Sequence, residues 1–198
     1  MSVRVFLRRF WQDRRGAGAA EFALILPVFL LFFLGMIDAG RFLYEVNRGE
    51  KATQIGARMA VVTNPVAADL KTQSYVGTTV GGVTLTQGDR IPAAALDLID
   101  CDEGGCSSFG FDGTAFANLL GRMRQIMPSI EADNLVVEYR GSGLGYAGNP
   151  DGMDISPLVT VRLTGLSFSP ILLFGGDVNL PDFSYTLTME DGDGTGSN

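Results

Sequence analysis

RRGAGAAEFALILPVFLLFFLGMI, Arg14 to Ile37, is the stretch that decides how this chain is built. After the basic pair and Gly16, the 21 residues from Ala17 to Ile37 carry a single charge, Glu21. At a rise of about 1.5 Å per residue, a helix of that length covers about 30 Å, the depth of a bilayer's hydrocarbon core. The stretch reads as a membrane helix. Pro27 removes the hydrogen bond that its amide would give to Ala23, so a bend or a loosened turn is expected there; such kinks are common in membrane helices.

Charge is divided unevenly around this helix. Met1 to Gly16 holds five arginines against Asp13, whereas the remainder holds 21 acids against 10 basic residues. Basic residues stay on the cytoplasmic side of a membrane, so the amino terminus is expected in the cytoplasm and the acidic remainder across the bilayer. An acidic exported domain excludes nucleic acid as the expected partner, because phosphate binding needs clustered Lys and Arg. A secretory signal peptide would carry its apolar run before the cut, and no A-x-A site follows Ile37, where the chain continues DAGRFLYE.

The expected organisation is a basic leader at 1–16, a helix over 17–63, an exported domain at 64–190 and a disordered tail at 191–198. The helix should outlast the membrane. Phe42, Val46, Gly49, Ala52, Ile55, Met59 and Val62 recur at steps of three and four, with Arg41, Glu45, Arg48, Lys51 and Arg58 between them. That pattern predicts one helix of about 45 residues, on the order of 68 Å, ended by Asn64-Pro65. Beyond it, Ser74 to Thr86 reads as one or two short strands around Gly81-Gly82, and Ala93 to Ile99 as a short helix. Thr114 to Met127 reads as a helix capped by Asp112 or Thr114, and Leu135–Tyr139, Leu158–Leu166 and Phe183–Met189 as strands. The fold class is α+β, an antiparallel sheet against a long helix.

Cys101 and Cys106 lie in CDEGGC, a spacing that suits a small disulfide loop in an oxidising compartment. The alternatives are two free thiols or half of a metal site. Metal is disfavoured, because the chain has no histidine and no second cysteine pair. Gly143 to Gly148, GLGYAG, matches G-x-G-x-x-G but leads into NPDGMDISP rather than a helix, so nothing there would hold a pyrophosphate. Asp151 to Asp154 and the acidic tail lack the ligand series of a calcium loop and read as turns. No histidine or Ser-x-x-Lys pair supports hydrolysis, and no carboxylate spacing selects an acid-base pair. The sequence therefore predicts no enzyme and no cofactor.

The basic leader, Gly16, a glutamate five residues later followed by Phe22, and an apolar run together resemble the type IV prepilin processing signal. It reads here as G|AGAAEF, with Gly16 and Ala17 flanking the cut. Over Ala19 to Val61 the chain further resembles the TadE-like minor pilins of tight-adherence (Flp-type) pili, at Glu21, Phe22, Pro27, Asp38, Gly40, Arg41, Gly56, Ala57 and Arg58. The resemblance implies a pilin-like lollipop and a single-pass bacterial inner-membrane protein with a periplasmic domain, or a place in the pilus itself. It implies prepilin peptidase, the major pilin, other minor pilins and an inner-membrane assembly platform as partners, and adhesion as the downstream role. Cleavage would turn the amide of Ala17 into a cation within reach of Glu21, on the same or a neighbouring subunit. Together with the bend at Pro27, that pair would set how subunits dock. The alternative is a signal-anchored periplasmic binding module unrelated to pili, which would keep its leader.

Overall fold

The computed structural model describes residues 16–150, 152–173, 175–190 and 192–194. The leader up to Arg15, Asp151, Phe174, Asp191 and the end of the tail lie outside the described residues. The architecture is α+β: a long amino-terminal helix and a small antiparallel sheet domain. By packing, the chain divides into Met1–Leu43 with Ser169–Val178, and Tyr44–Phe168 with Asn179–Asn198.

Helix α1, Ala17–Ala60, runs 44 residues with Pro27 inside it. A helix satisfies its own backbone, so it remains one element through two very different surroundings. From Gly18 onward it is long and apolar enough to cross a membrane, and none of its most apolar window is buried. Large side chains stand outward there, including Leu24 at 77%, Val28 at 67% and Phe32 at 67% exposure.

The second half of α1 buries Gly49, Ala52 and Met59 of the expected stripe, but otherwise a neighbouring row of small residues rather than the large apolar ones. Gly49, Ala52, Thr53, Gly56, Ala57 and Ala60 are buried, whereas Phe42, Val46, Ile55 and Val62 are only partly covered. These small residues recur at the helical repeat and bring the backbone close to bulky partners. A Cβ on Gly56 would lie 2.7 Å from Met123 Sδ, and one on Gly49 would overlap the Phe183 ring. The Arg48 guanidinium reaches out of the same helix to donate from Nε to the Ile126 carbonyl, 2.9 Å, and pairs with Glu45 at 3.0 Å.

Thr63 Oγ1 donates to the Met59 carbonyl at the helix exit, where the chain turns. There the hydroxyl of fully buried Tyr139 accepts the Val66 N–H at 2.8 Å, and burial raises that phenol's pKa well above its ordinary value. Residues 192–194, in the tail expected to be disordered, are tied to this exit. The Asn64 N–H donates to the Gly194 carbonyl at 2.8 Å, and Lys71 pairs with Asp193.

The central sheet has the order β4-β3-β5-β6-β9, antiparallel throughout. Its strands are β3 Ile99–Asp102, β4 Gly105–Cys106, β5 Leu135–Arg140, β6 Leu158–Leu163 and β9 Phe183–Thr188. Helix α2, Gly113–Arg124, starts at Asp112, whose carboxylate accepts the N–H groups of Thr114 and Ala115. It buries Phe116, Leu119, Leu120 and Met123. Alternation in β5 sends Leu135, Val137 and Tyr139 into the core and Val136 and Glu138 toward the other face. There Glu138 meets Arg162 at 2.6 Å.

A two-residue turn at Gly81-Gly82, both with positive φ, joins β1 Thr79–Val80 to β2 Val83–Thr84. A second small pair joins β7 Ser167–Phe168 to β8 Val178–Asn179. The short helix expected over Ala93 to Ile99 is corrected. Ala93–Ala95 form one 3-10 turn after Pro92, and the chain is extended at Leu96, because Ile99 is already claimed by its partner Tyr139 in the sheet.

Gly49→Val should force the Phe183 ring out of its place and destabilise the domain by about 2 kcal/mol. Urea unfolding in detergent, with the midpoint compared to the parent chain, checks this. An unchanged midpoint would mean that the helix does not pack there.

Candidate functional site: the exposed apolar helix and its exit

The residues expected to govern processing and docking occupy the start of α1. Gly16 and Glu21 are exposed, as is Phe22 at 64%. Ala17 opens the helix, and Glu21 lies one turn further on, about 6 Å along the axis. Ion pairs among the described residues join Arg41 to Asp38, Arg48 to Glu45, Lys71 to Asp193 and Arg162 to Glu138, and none involves Glu21. A carboxylate in the first turns of a helix faces the positive end of the backbone dipole, which tolerates its charge. Pro27 is exposed inside the helix, which continues on both sides of it.

The exit of the apolar run is more elaborate than its start. Asp38 is buried, 7% exposed, at the first position after Ile37. Its Oδ1 accepts the Ile171 N–H and its Oδ2 the Leu172 N–H, both at 2.9 Å, and Arg41 Nη1 lies 3.2 Å from Oδ1. The carboxylate is thus shared between its own helix and a segment 133 residues later. Sequence reasoning singled out Asp38 only as part of a family pattern, since its partners are backbone groups that no side-chain pattern reveals.

Cys101 and Cys106 lie opposite each other across the β3–β4 hairpin and are bonded. No cluster of three metal-ligating side chains occurs among the described residues. Asp154, from the segment weighed as a calcium loop, is spent on the backbone. It accepts the N–H groups of Tyr75 at 2.8 Å and Asn149 at 2.9 Å. Burial pushes its carboxyl up. Hydrogen bonds from Gly148, Tyr75, Asn149 and the Ser74 hydroxyl outweigh that and hold the pKa below the ordinary carboxylate value. GLGYAG is part of the same loop: the Tyr146 N–H donates to the Asp154 carbonyl, and no helix follows it among the described residues.

These features define a class: an α+β protein whose long, apolar, exposed amino-terminal helix fits a single-pass membrane anchor. Within that class, residues 16–58 match the family model described as TadE-like protein, a pilus-component family rather than an enzyme family. The match starts at Gly16, one residue before α1, and ends two residues before the helix does. No curated protein and no solved structure matches the chain.

A carboxyl with a depressed pKa contributes stability that is present above the ordinary value and lost as pH falls through the folded one. Asp154→Ala should therefore cost about 2 kcal/mol at pH 7, by leaving backbone donors unpaired, and should flatten the acid limb of the stability profile. Chemical unfolding between pH 2 and 7 reads both effects. An acid limb identical to that of the parent would remove Asp154 from this role.

Proposed function

We propose that the chain is a minor pilin or pseudopilin that assists assembly of tight-adherence pili, anchored in the bacterial inner membrane by α1. The observation that carries this reading is the coincidence of the TadE-like match, residues 16–58, with a helix whose apolar half is exposed. An exposed apolar surface of this size needs lipid or other apolar helices around it, and a pilus subunit meets both in turn. In this reading the arginine-rich leader stays in the cytoplasm and the acidic domain is periplasmic, where the Cys101–Cys106 disulfide persists.

Prepilin peptidase cuts between Gly16 and Ala17 in this account, with Glu21 and Phe22 as part of the recognised sequence. The new ammonium of Ala17 then becomes the partner that Glu21 lacks among the described residues. Within apolar surroundings an unpaired carboxylate is costly and a paired one is directional, so the pair gives register to helix docking as well as attraction. Pro27 sets the local direction of the helix at that contact. The partners are the major pilin, other minor pilins and the inner-membrane assembly platform, and the downstream role is surface adhesion.

The intact mass of protein extracted from membranes tests the reading. A mature chain beginning at Ala17 is expected; a chain that keeps the arginine-rich leader would favour a signal-anchored periplasmic binding module. Glu21→Ala should leave membrane insertion intact and reduce recovery of the subunit in sheared pili, and unchanged recovery would overturn the docking role.

A further inference from the structure

We propose that the segment Ser169–Val178, SPILLFGGDV, is a second membrane-contacting element, an apolar loop that Asp38 holds into the interfacial zone of the bilayer beside the exit of α1. This inference rests on the reading of α1 as a membrane span and adds to it an element that the TadE-like match does not cover.

The first support is composition against exposure. From Pro170 to Gly176 the segment has no charged side chain, and four of its seven residues are Ile171, Leu172, Leu173 and Phe174. In a water-facing loop such residues would be covered, yet Ile171 is 45% and Leu173 53% exposed. Two large apolar side chains left open in one short turn mark a surface that meets something apolar.

The second support is depth. A Cβ on Gly35 would lie 3.3 Å from Leu172 Cδ1, so Leu172 stands against the helix one turn before Asp38. Gly35 is inside the apolar run, which continues to Ile37, with Met36 and Ile37 also exposed. Leu172 is therefore level with the last lipid-facing turn of the helix, about 4.5 Å inward of Asp38 along its axis.

The third support is the way the loop is held. An apolar turn near lipid must satisfy its backbone locally. The N–H groups of Ile171 and Leu172 both go to the Asp38 carboxylate, the Gly176 N–H goes to the Leu173 carbonyl at 3.0 Å, and the Ser169 hydroxyl donates to Asp177. Arg41, one turn beyond Asp38 and half-exposed, offsets the carboxylate charge on the side away from the apolar run. Asp38 is here a positioning residue. It joins two stretches distant in sequence so that their apolar side chains face one medium.

The test uses the full chain in lipid vesicles at one or fewer copies per vesicle, with a nitroxide on single introduced cysteines. Cys101 and Cys106 are bonded to each other and do not compete for the label. Leu173→Cys should show an oxygen-to-nickel-chelate accessibility ratio several-fold above that of Val83→Cys, a reference on the exposed β1–β2 hairpin. Adding Asp38→Asn should lower the ratio at Leu173 toward that reference while leaving Phe29→Cys, inside the span, unchanged. A ratio at Leu173 equal to the reference, with Phe29 still oxygen-favouring, would overturn the loop and leave the anchor standing. Nickel access at Phe29 would overturn the anchor, and the loop with it. An oxygen preference at Leu173 that appears only when vesicles are crowded with protein would assign the surface to a second copy of this chain and overturn the lipid contact.

Discussion

One helix has to satisfy two media, and the rest of the structure follows from how α1 does so. Its backbone makes the same hydrogen bonds throughout, so only the side chains change. Up to Ile37 they are large, apolar and outward, a surface that water penalises by roughly 25 cal/mol for each Å² exposed. From Gly49 on they are small and inward, so that the helix axis itself comes close to Met123 and Phe183. Large side chains at Gly49 and Gly56 would hold α2 and β9 away from the helix, and the buried row Ala52, Ala57 and Ala60 would lose its partners.

Between those halves lies a crossover marked by charge. Asp38 and Arg41 form one pair, and Glu45 and Arg48 the next, each at a spacing of three. Neither pair is worth much as a surface salt bridge. Their positions matter more, because each also reaches another part of the chain. Asp38 accepts from the 169–178 segment, and Arg48 donates to the carbonyl that follows α2. The charged turns of α1 thus serve as attachment points for segments whose backbone groups have no partner in their own secondary structure.

How much of this was legible in the sequence depended on whether the cause was local. The apolar run, the Asp112 cap, the Gly81-Gly82 turn and the existence of strands β5, β6 and β9 each depend on neighbours within a few residues, and each is readable. The 3-10 turn at Ala93–Ala95 reads in the sequence as a helix because alanines favour helix, while pairing with β5 draws the chain into a strand by Ile99. Strand β3 is hidden for a related reason: IDCD alternates in burial, but it is only four residues long and runs into the cysteine loop through Cys101. On α1 the expected stripe meets the buried face at Gly49, Ala52 and Met59 but misses Thr53, Gly56, Ala57 and Ala60, because periodicity weights large apolar residues whereas close packing selects small ones. At the amino-terminal end, Gly16 and Glu21 are singled out by the resemblance to a prepilin processing signal, and both are exposed at the start of α1. The Asp38 attachment could not be read, although a lone acid closing an apolar run and an uncharged SPILLFGG far downstream were its two visible halves.

The account depends most on α1 being a single uninterrupted helix that serves both as membrane span and as the packed spine of the sheet domain. Hydrogen–deuterium exchange on the full chain in lipid nanodiscs measures this directly, amide by amide. The account predicts slow exchange from Leu24 through Ala60, with no gap across Asp38 to Val46. Fast exchange confined to that crossover, with protection on either side, would show two helices joined by a hinge and would contradict it.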